Sequence, residues 1–157
     1  MIEQWATVAP DLDTAHLGVV ARVYRIAHHL RLRAEAVLER HGLTQGEFDV
    51  LSALRRSGSD DGLTPTALAS GVLVSSGGMT KRLTALERGG WISRRRSARD
   101  GRSVRVALTP SGRERFDVLL PDYFAAEGVV LDGMPDAERD GLADLLRELA
   151  VRLDLRR

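Results

Sequence analysis

Five arginines, Arg94, Arg95, Arg96, Arg99 and Arg102, crowd one short stretch that only Asp100 opposes. Guanidinium groups bind phosphates through forked pairs of hydrogen bonds, so a cluster of them is chemistry suited to a polyanion. Just upstream, at about 100° per residue, Leu83 and Leu86 fall within about 40° of Met79 and form an apolar stripe. Gly77, Thr80, Lys81, Thr84 and Arg88 point the other way. That outward face is small and polar at its start and cationic beyond it. A helix lying in a DNA groove needs this distribution, because short side chains admit the backbone and long cationic ones reach base edges or phosphates. Ser75-Ser76 is an N-cap signal whose free amides and helix dipole favour a phosphate. A solvated face with routine capping would explain this helix alone. The arginines that follow it favour the DNA reading.

The charge is distributed accordingly. The chain has 157 residues and a formal net charge of only +1. From Thr80 to Arg105, nine basic residues face two acids, a surplus of +7. From Asp117 to Asp154, ten acids face three arginines, a surplus of −7. One region attracts polyanions and the other repels them. There is no cysteine, which excludes a disulfide scaffold, a thiol nucleophile and a cysteine-ligated zinc site. No glycine-rich phosphate loop follows a strand, no nucleophile elbow occurs and no carboxylates pair in a plausible cleft, so an enzyme is not expected. His16, His28, His29 and His41 lack ligand spacing, and no metal or cofactor is expected. No apolar run approaches a membrane span. The start, MIEQWATVAPDLD, lacks the basic and apolar segments of a signal peptide, and a cytoplasmic protein is expected.

The elements that hold these residues follow from periodicity and caps. Apolar residues from Leu17 to Leu38 recur mostly at three- and four-residue spacing, which predicts a long helix over 14–40 that His41-Gly42 stops. Thr44-Gln45-Gly46-Glu47 fits a capping box opening a helix with Phe48, Val50, Leu51 and Leu54. The linker SGSDDG leads to Thr64-Pro65, an N-cap with proline at the first helical position. The Met79 helix ends at Gly89-Gly90. Trp91-Ile92 and Val104–Leu108 then read as two short strands around a turn at Asp100-Gly101, a hairpin with an arginine-rich tip. Thr109-Pro110 opens a helix that Pro121 should kink or interrupt. After Gly133-Met134-Pro135, Leu142, Leu145, Leu146, Leu149 and Leu153 stripe a last helix. One small domain cannot bury all of that stripe, which favours packing against a second copy over packing only within its own chain.

Helix, short helix, helix and hairpin in this order make a winged helix-turn-helix: mainly α with a small β-hairpin wing. Residues 1–42 are expected as the N-terminal helical part, 43–112 as the DNA-binding domain and 113–157 as C-terminal helices. The stretch from Leu43 to Arg115 resembles the MarR family of bacterial transcription regulators. Two segments carry the resemblance. One is Asp100-Gly101-Arg102-Ser103-Val104-Arg105-Val106-Ala107-Leu108-Thr109-Pro110-Ser111-Gly112. The other is SSGGMTKRLTALERGGWISR.

The resemblance implies a homodimer, with the flanking helices forming the dimer, bound to a pseudo-palindromic double-stranded operator. Ser75, Ser76, Thr80 and Lys81 would meet the major groove, and Thr64 and Thr66 the phosphates. Arg99 and Arg102 would lie on the wing, with Arg102 in the minor groove and Asp100 orienting the wing. Trp5, the EFDVL segment at Glu47–Leu51 and the SSGGMTKR segment are similar to the urate- and phenol-responsive branch. The implied effector is a small aromatic or anionic molecule, such as urate or a phenolic acid, held or sensed by Trp5, His16, Asp49 and Arg82. Arg82, about 60° from Met79, could face inward toward Asp49. Such a pair is either a plain structural salt bridge or the coupling element of a switch, and Trp5 either lines a pocket or plugs the dimer end. Lys81 and Ala9 depart from the branch pattern. The expected function is a repressor released by that ligand. The alternatives are a winged-helix protein-interaction module that does not bind DNA and an enzyme acting on a small aromatic ligand.

Overall fold

A computed structural model describes residue 5 and residues 7–9, 11–71, 76–96 and 103–154. These residues form six helices and one two-stranded antiparallel hairpin. Helix α1 spans Leu17–Glu39, α2 Gln45–Ser57, α3 Pro65–Gly71 and α4 Ser76–Arg88. Strands β1 (Ile92–Arg96) and β2 (Val104–Leu108) follow, then α5 (Pro110–Gly128), a 3-10 turn and α6 (Asp136–Asp154). The predicted turn at Asp100-Gly101 lies outside the described residues. No helix among the described residues is long and apolar enough to cross a membrane.

Local chemistry sets the boundaries. Thr44 accepts from the Glu47 amide at 3.3 Å, and the Glu47 carboxylate accepts from the Thr44 amide at 2.8 Å, which closes the capping box of α2. Thr64 Oγ1 accepts from Ala67 N at 3.2 Å and caps α3. Thr109 Oγ1 accepts from Gly112 N at 2.8 Å and caps α5, with Pro110 at its start. At the end of α2, Gly58 adopts φ +61°, which glycine reaches without a Cβ penalty.

The core is one continuous cluster. Leu38 from α1, Val50 and Leu51 from α2, and Leu68 from α3 meet Met79, Leu83 and Leu86 from α4. Ile92 and Val106 from the hairpin, and Phe116 and Leu119 from α5, complete it. Each such side chain contributes about 1.5–3 kcal/mol by leaving water. β1 and β2 pair from Ile92–Leu108 to Arg96–Val104, and Leu63 adds an isolated bridge to Val106. The wing is thereby tied to the turn between α2 and α3.

One feature differs from the sequence reading. Helix α5 runs unbroken through Pro121. Phe116, Leu119 and Tyr123 are buried on either side of the proline, so packing holds the helix despite the missing N–H. The apolar positions of α1 are buried only near its C-terminal end. Only Ala34, Val37 and Leu38 are buried, while Val19, Val20, Val23, Tyr24 and Ile26 are exposed. On α6, Leu142, Leu145, Leu146, Leu149 and Leu153 are all exposed. The leucine stripe therefore does not pack within its own chain.

Candidate nucleic-acid interface

Helix α4 has the two faces that its spacing predicts. Met79, Leu83 and Leu86 are at most 2% exposed. Gly77, Thr80, Lys81, Thr84 and Arg88 lie on the solvent side. Thr84 Oγ1 donates to the Thr80 carbonyl at 2.9 Å and so turns back on its own helix. The side chain of Ser76 and the whole of Ser75 lie outside the described residues, as do Arg99, Asp100 and Arg102. Thr66 is exposed at the start of α3, and Thr64 is half-buried as its cap.

The arginines of β1 do not all face outward. Arg94 Nε pairs with Glu87 Oε2 at 3.1 Å, its backbone amide donates to Glu87 Oε1, and its Nη2 donates to Thr84 Oγ1 at 2.8 Å. Glu87, one of only two acids in the basic stretch, thus fastens β1 to α4. Arg95 Nη2 donates to the Asp60 carbonyl oxygen at 2.6 Å. No described ion pair engages Lys81, Arg88 or Arg96, all of them exposed, and these cations are presented to solvent. Arg115 covers the buried Trp91 ring at 3.7 Å, a cation–π contact at the exit from α4.

The residues expected to hold an effector are only partly brought together. Arg82 does turn inward. A Cβ on Gly46 would lie 2.4 Å from Arg82 Cζ, so the guanidinium rests on the first turn of α2 in the space that a side chain there would take. The expected Asp49–Arg82 ion pair is absent among the described residues. Asp49 Oδ1 accepts instead from Gln45 Nε2 at 3.0 Å, one helical turn back, and Arg82 Nη1 is buried without a hydrogen-bond partner. Asp49 lines an open cavity of about 450 Å³ between α2 and α5, with Phe48, Arg56, Tyr123, Phe124 and Glu127. Arg82, Trp5 and His16 do not line it. Trp5 and His16 are exposed in the single chain.

Several residues at this cavity were not singled out from the sequence. Tyr123 stacks on Phe48 at 3.8 Å between ring centroids, and its hydroxyl accepts from Gln45 Nε2 at 3.0 Å. Burial pushes the Tyr123 phenol up to about 12, and the Glu127 and Asp49 carboxylates push it the same way. Nearby, Arg55 and Asp117 join α2 to α5 through contacts of 2.8 and 3.2 Å. The Arg55 hydrogen bond holds the Asp117 carboxyl below its ordinary range. The one sequence signal for the Arg82 seat was a glycine inside the first turn of a helix, where it weakens the helix unless something needs its space.

Residues 41–103 match the model of the MarR family. Over 98% of this chain and 92% of the relative, the sequence is 27% identical to the HTH-type transcriptional regulator PecS of Dickeya dadantii. It is 30% identical to an HTH-type transcriptional regulator of Bacillus cereus, over 84% of each chain. The fold is shared with Bordetella bronchiseptica BpsR, whose DNA binding is regulated by 6-hydroxynicotinic acid. That match has a TM-score of 0.71 at 22% identity and covers 84% of this chain and 92% of the other. The chain belongs to the MarR family and is a winged helix-turn-helix DNA-binding transcriptional regulator, not an enzyme.

Proposed function

We propose that the protein is a dimeric, cytoplasmic repressor that binds a pseudo-palindromic operator and is released by a small aromatic or anionic ligand. The observation that carries the DNA reading is α4, which buries Met79, Leu83 and Leu86 and presents Thr80, Lys81 and Arg88 beside the exposed Arg96. Ser75, Ser76, Thr80 and Lys81 meet the major groove, while Thr64 and Thr66 contact phosphates. Arg99 and Arg102 reach the DNA from the wing, and Asp100 orients it. Residues 43–112 form the reading domain. Residues 1–42 and 113–157 supply the dimer helices, a role supported by the exposed apolar faces of α1 and α6. Two half-sites about one helical turn apart follow from twofold symmetry.

The effector reading rests on Arg82. A buried guanidinium nitrogen without a partner is costly, and a ligand anion would satisfy it. Because Arg82 sits on α4 and rests on α2, drawing it away shifts the recognition helix. Release then requires only that the ligand bind the DNA-free arrangement more tightly. Asp49 and the aromatic floor of the cavity between α2 and α5 suit an aromatic ring with hydrogen-bond donors, and Trp5 and His16, exposed in the single chain, are assigned to the same ligand. BpsR offers a precedent in a heteroaromatic acid.

Fluorescence anisotropy with DNA from the promoter beside the protein's own gene tests both parts, at two salt concentrations and with or without urate. Binding should weaken steeply with salt, as counterion release demands, and urate should release the DNA. Salt-independent binding, equal on scrambled DNA, would favour the protein-interaction reading. DNA binding indifferent to urate and to phenolic acids would remove the switch and leave the regulator.

A further inference from the structure

Two adjacent acids stand in the most basic lobe of the protein. They belong to the turn between α2 and α3, Gly58-Ser59-Asp60-Asp61-Gly62-Leu63. Arginines from three elements converge on this turn. Arg95 of β1 donates to the Asp60 carbonyl oxygen at 2.6 Å. Arg113 of α5 reaches Asp60 Oδ1 at 3.2 Å. Arg105 of β2 lies 3.5 Å from Asp61 Oδ2 and donates from Nη1 to the Gly62 carbonyl at 3.4 Å. The turn is also stitched to β2 by Leu63 N to Val106 O at 2.9 Å and Val106 N to Leu63 O at 2.8 Å.

We propose that this acidic turn is a clasp that sets the angle of the wing against the helical body. Asp60 and Asp61 are then positioning residues for DNA recognition, acting through Arg113 and Arg105. The inference rests on the DNA-binding reading above. By charge alone, two acids here repel phosphate and weaken DNA binding. By stability alone, exposed ion pairs contribute little. Geometry supplies the reason that charge and stability do not. A two-stranded ribbon is marginal by itself, and recognition needs wing and α4 to reach the duplex together. The turn touches β1, β2 and α5 at once, so it fixes the ribbon's direction relative to both.

Charge and position predict opposite results, which makes the test clean. The variant Asp60→Ala/Asp61→Ala leaves the Arg95 contact to the backbone intact and removes the other two carboxylate contacts. Affinity is measured by anisotropy on a duplex that the unchanged chain selects from a randomised pool, and on a scrambled duplex of equal length. The clasp predicts a loss of about threefold to tenfold on the selected duplex, with equal or tighter binding to the scrambled one. It also predicts faster hydrogen exchange at the Leu63 and Val106 amides. Equal gains on both duplexes with unchanged exchange would overturn the clasp. Should the double variant fail to fold, Arg113→Gln separates the readings: the clasp predicts a larger loss on the selected duplex, and a uniform loss on both overturns it. An unchanged chain that binds both duplexes equally would sink the DNA-recognition reading, while the exchange measurement still decides the clasp.

Discussion

Replacing Gly62 with alanine should detach the turn from the wing, and the size of the effect follows from separate costs. Gly62 has φ +77°, and an L-residue in left-handed backbone loses about 1 kcal/mol. A Cβ there would lie 2.0 Å from Val106 O and 2.6 Å from its carbonyl carbon, where ordinary contact begins near 3.4 Å. Both atoms are backbone, so the chains must part by more than about 1 Å. The same Val106 oxygen accepts from Leu63 N at 2.9 Å, and the reciprocal bond is 2.8 Å. Losing both costs about 2 kcal/mol. The total of about 3 kcal/mol is a large share of the ~5–15 kcal/mol that holds a typical domain folded. Urea unfolding at fixed protomer concentration measures it, since any dimer contributes to apparent stability. A loss below about 1 kcal/mol, with Leu63 and Val106 still protected from exchange, would refute the reasoning.

Three other substitutions test separate contacts. Gly46→Ala should drive the Arg82 guanidinium from its seat, and because the clash is with the end of a flexible side chain, stability should fall by only about 1 kcal/mol. Ligand-induced release of DNA, followed by anisotropy, should be impaired far more than folding, and an unaltered response would separate Arg82 from the switch. Asp117→Asn should flatten the acid side of the stability profile. A depressed carboxyl stabilises the fold above its unfolded value, near pH 4, and the gain disappears as pH falls through the lower folded value. Urea midpoints from about pH 6 down to about pH 2 would show this as a smaller acid loss in the variant. For Tyr123 the sign is opposite: its folded value is raised from 10.0 to about 12. The stability it gives is intact below pH 10 and is lost as pH rises through that window. Tyr123→Phe should remove this alkaline loss, and an unchanged alkaline limb in the variant would contradict the burial argument.

What could be read from the sequence was what local chemistry decides. Thr44, Thr64 and Thr109 each cap the helix they open, because a hydroxyl three residues before an amide acts within one turn. The buried stripe of α4 also followed from spacing alone. Contacts between distant segments were hidden. Gln45 meets Tyr123 across 78 positions, and Arg95 meets Asp60 across 35. An arginine-rich stretch cannot reveal which guanidiniums a neighbouring acid will capture, so Arg94 is one of a polyanion-binding cluster in sequence and a fastener to Glu87 in the fold. Pro121 breaks a local rule that the packing of Phe116, Leu119 and Tyr123 overrides. The single chain leaves the leucines of α6 exposed, and the size of that stripe already points away from an internal interface.

Selection of bound duplexes from a randomised DNA pool, followed by sequencing, tests the central claim most directly. A dimer reading DNA through two copies of α4 predicts enrichment of one pseudo-palindrome, its half-sites about one helical turn apart. It also predicts that changing Thr80 and Lys81 to alanine abolishes the enrichment. A pool that emerges without a shared sequence, from a chain that is folded and dimeric, would contradict it.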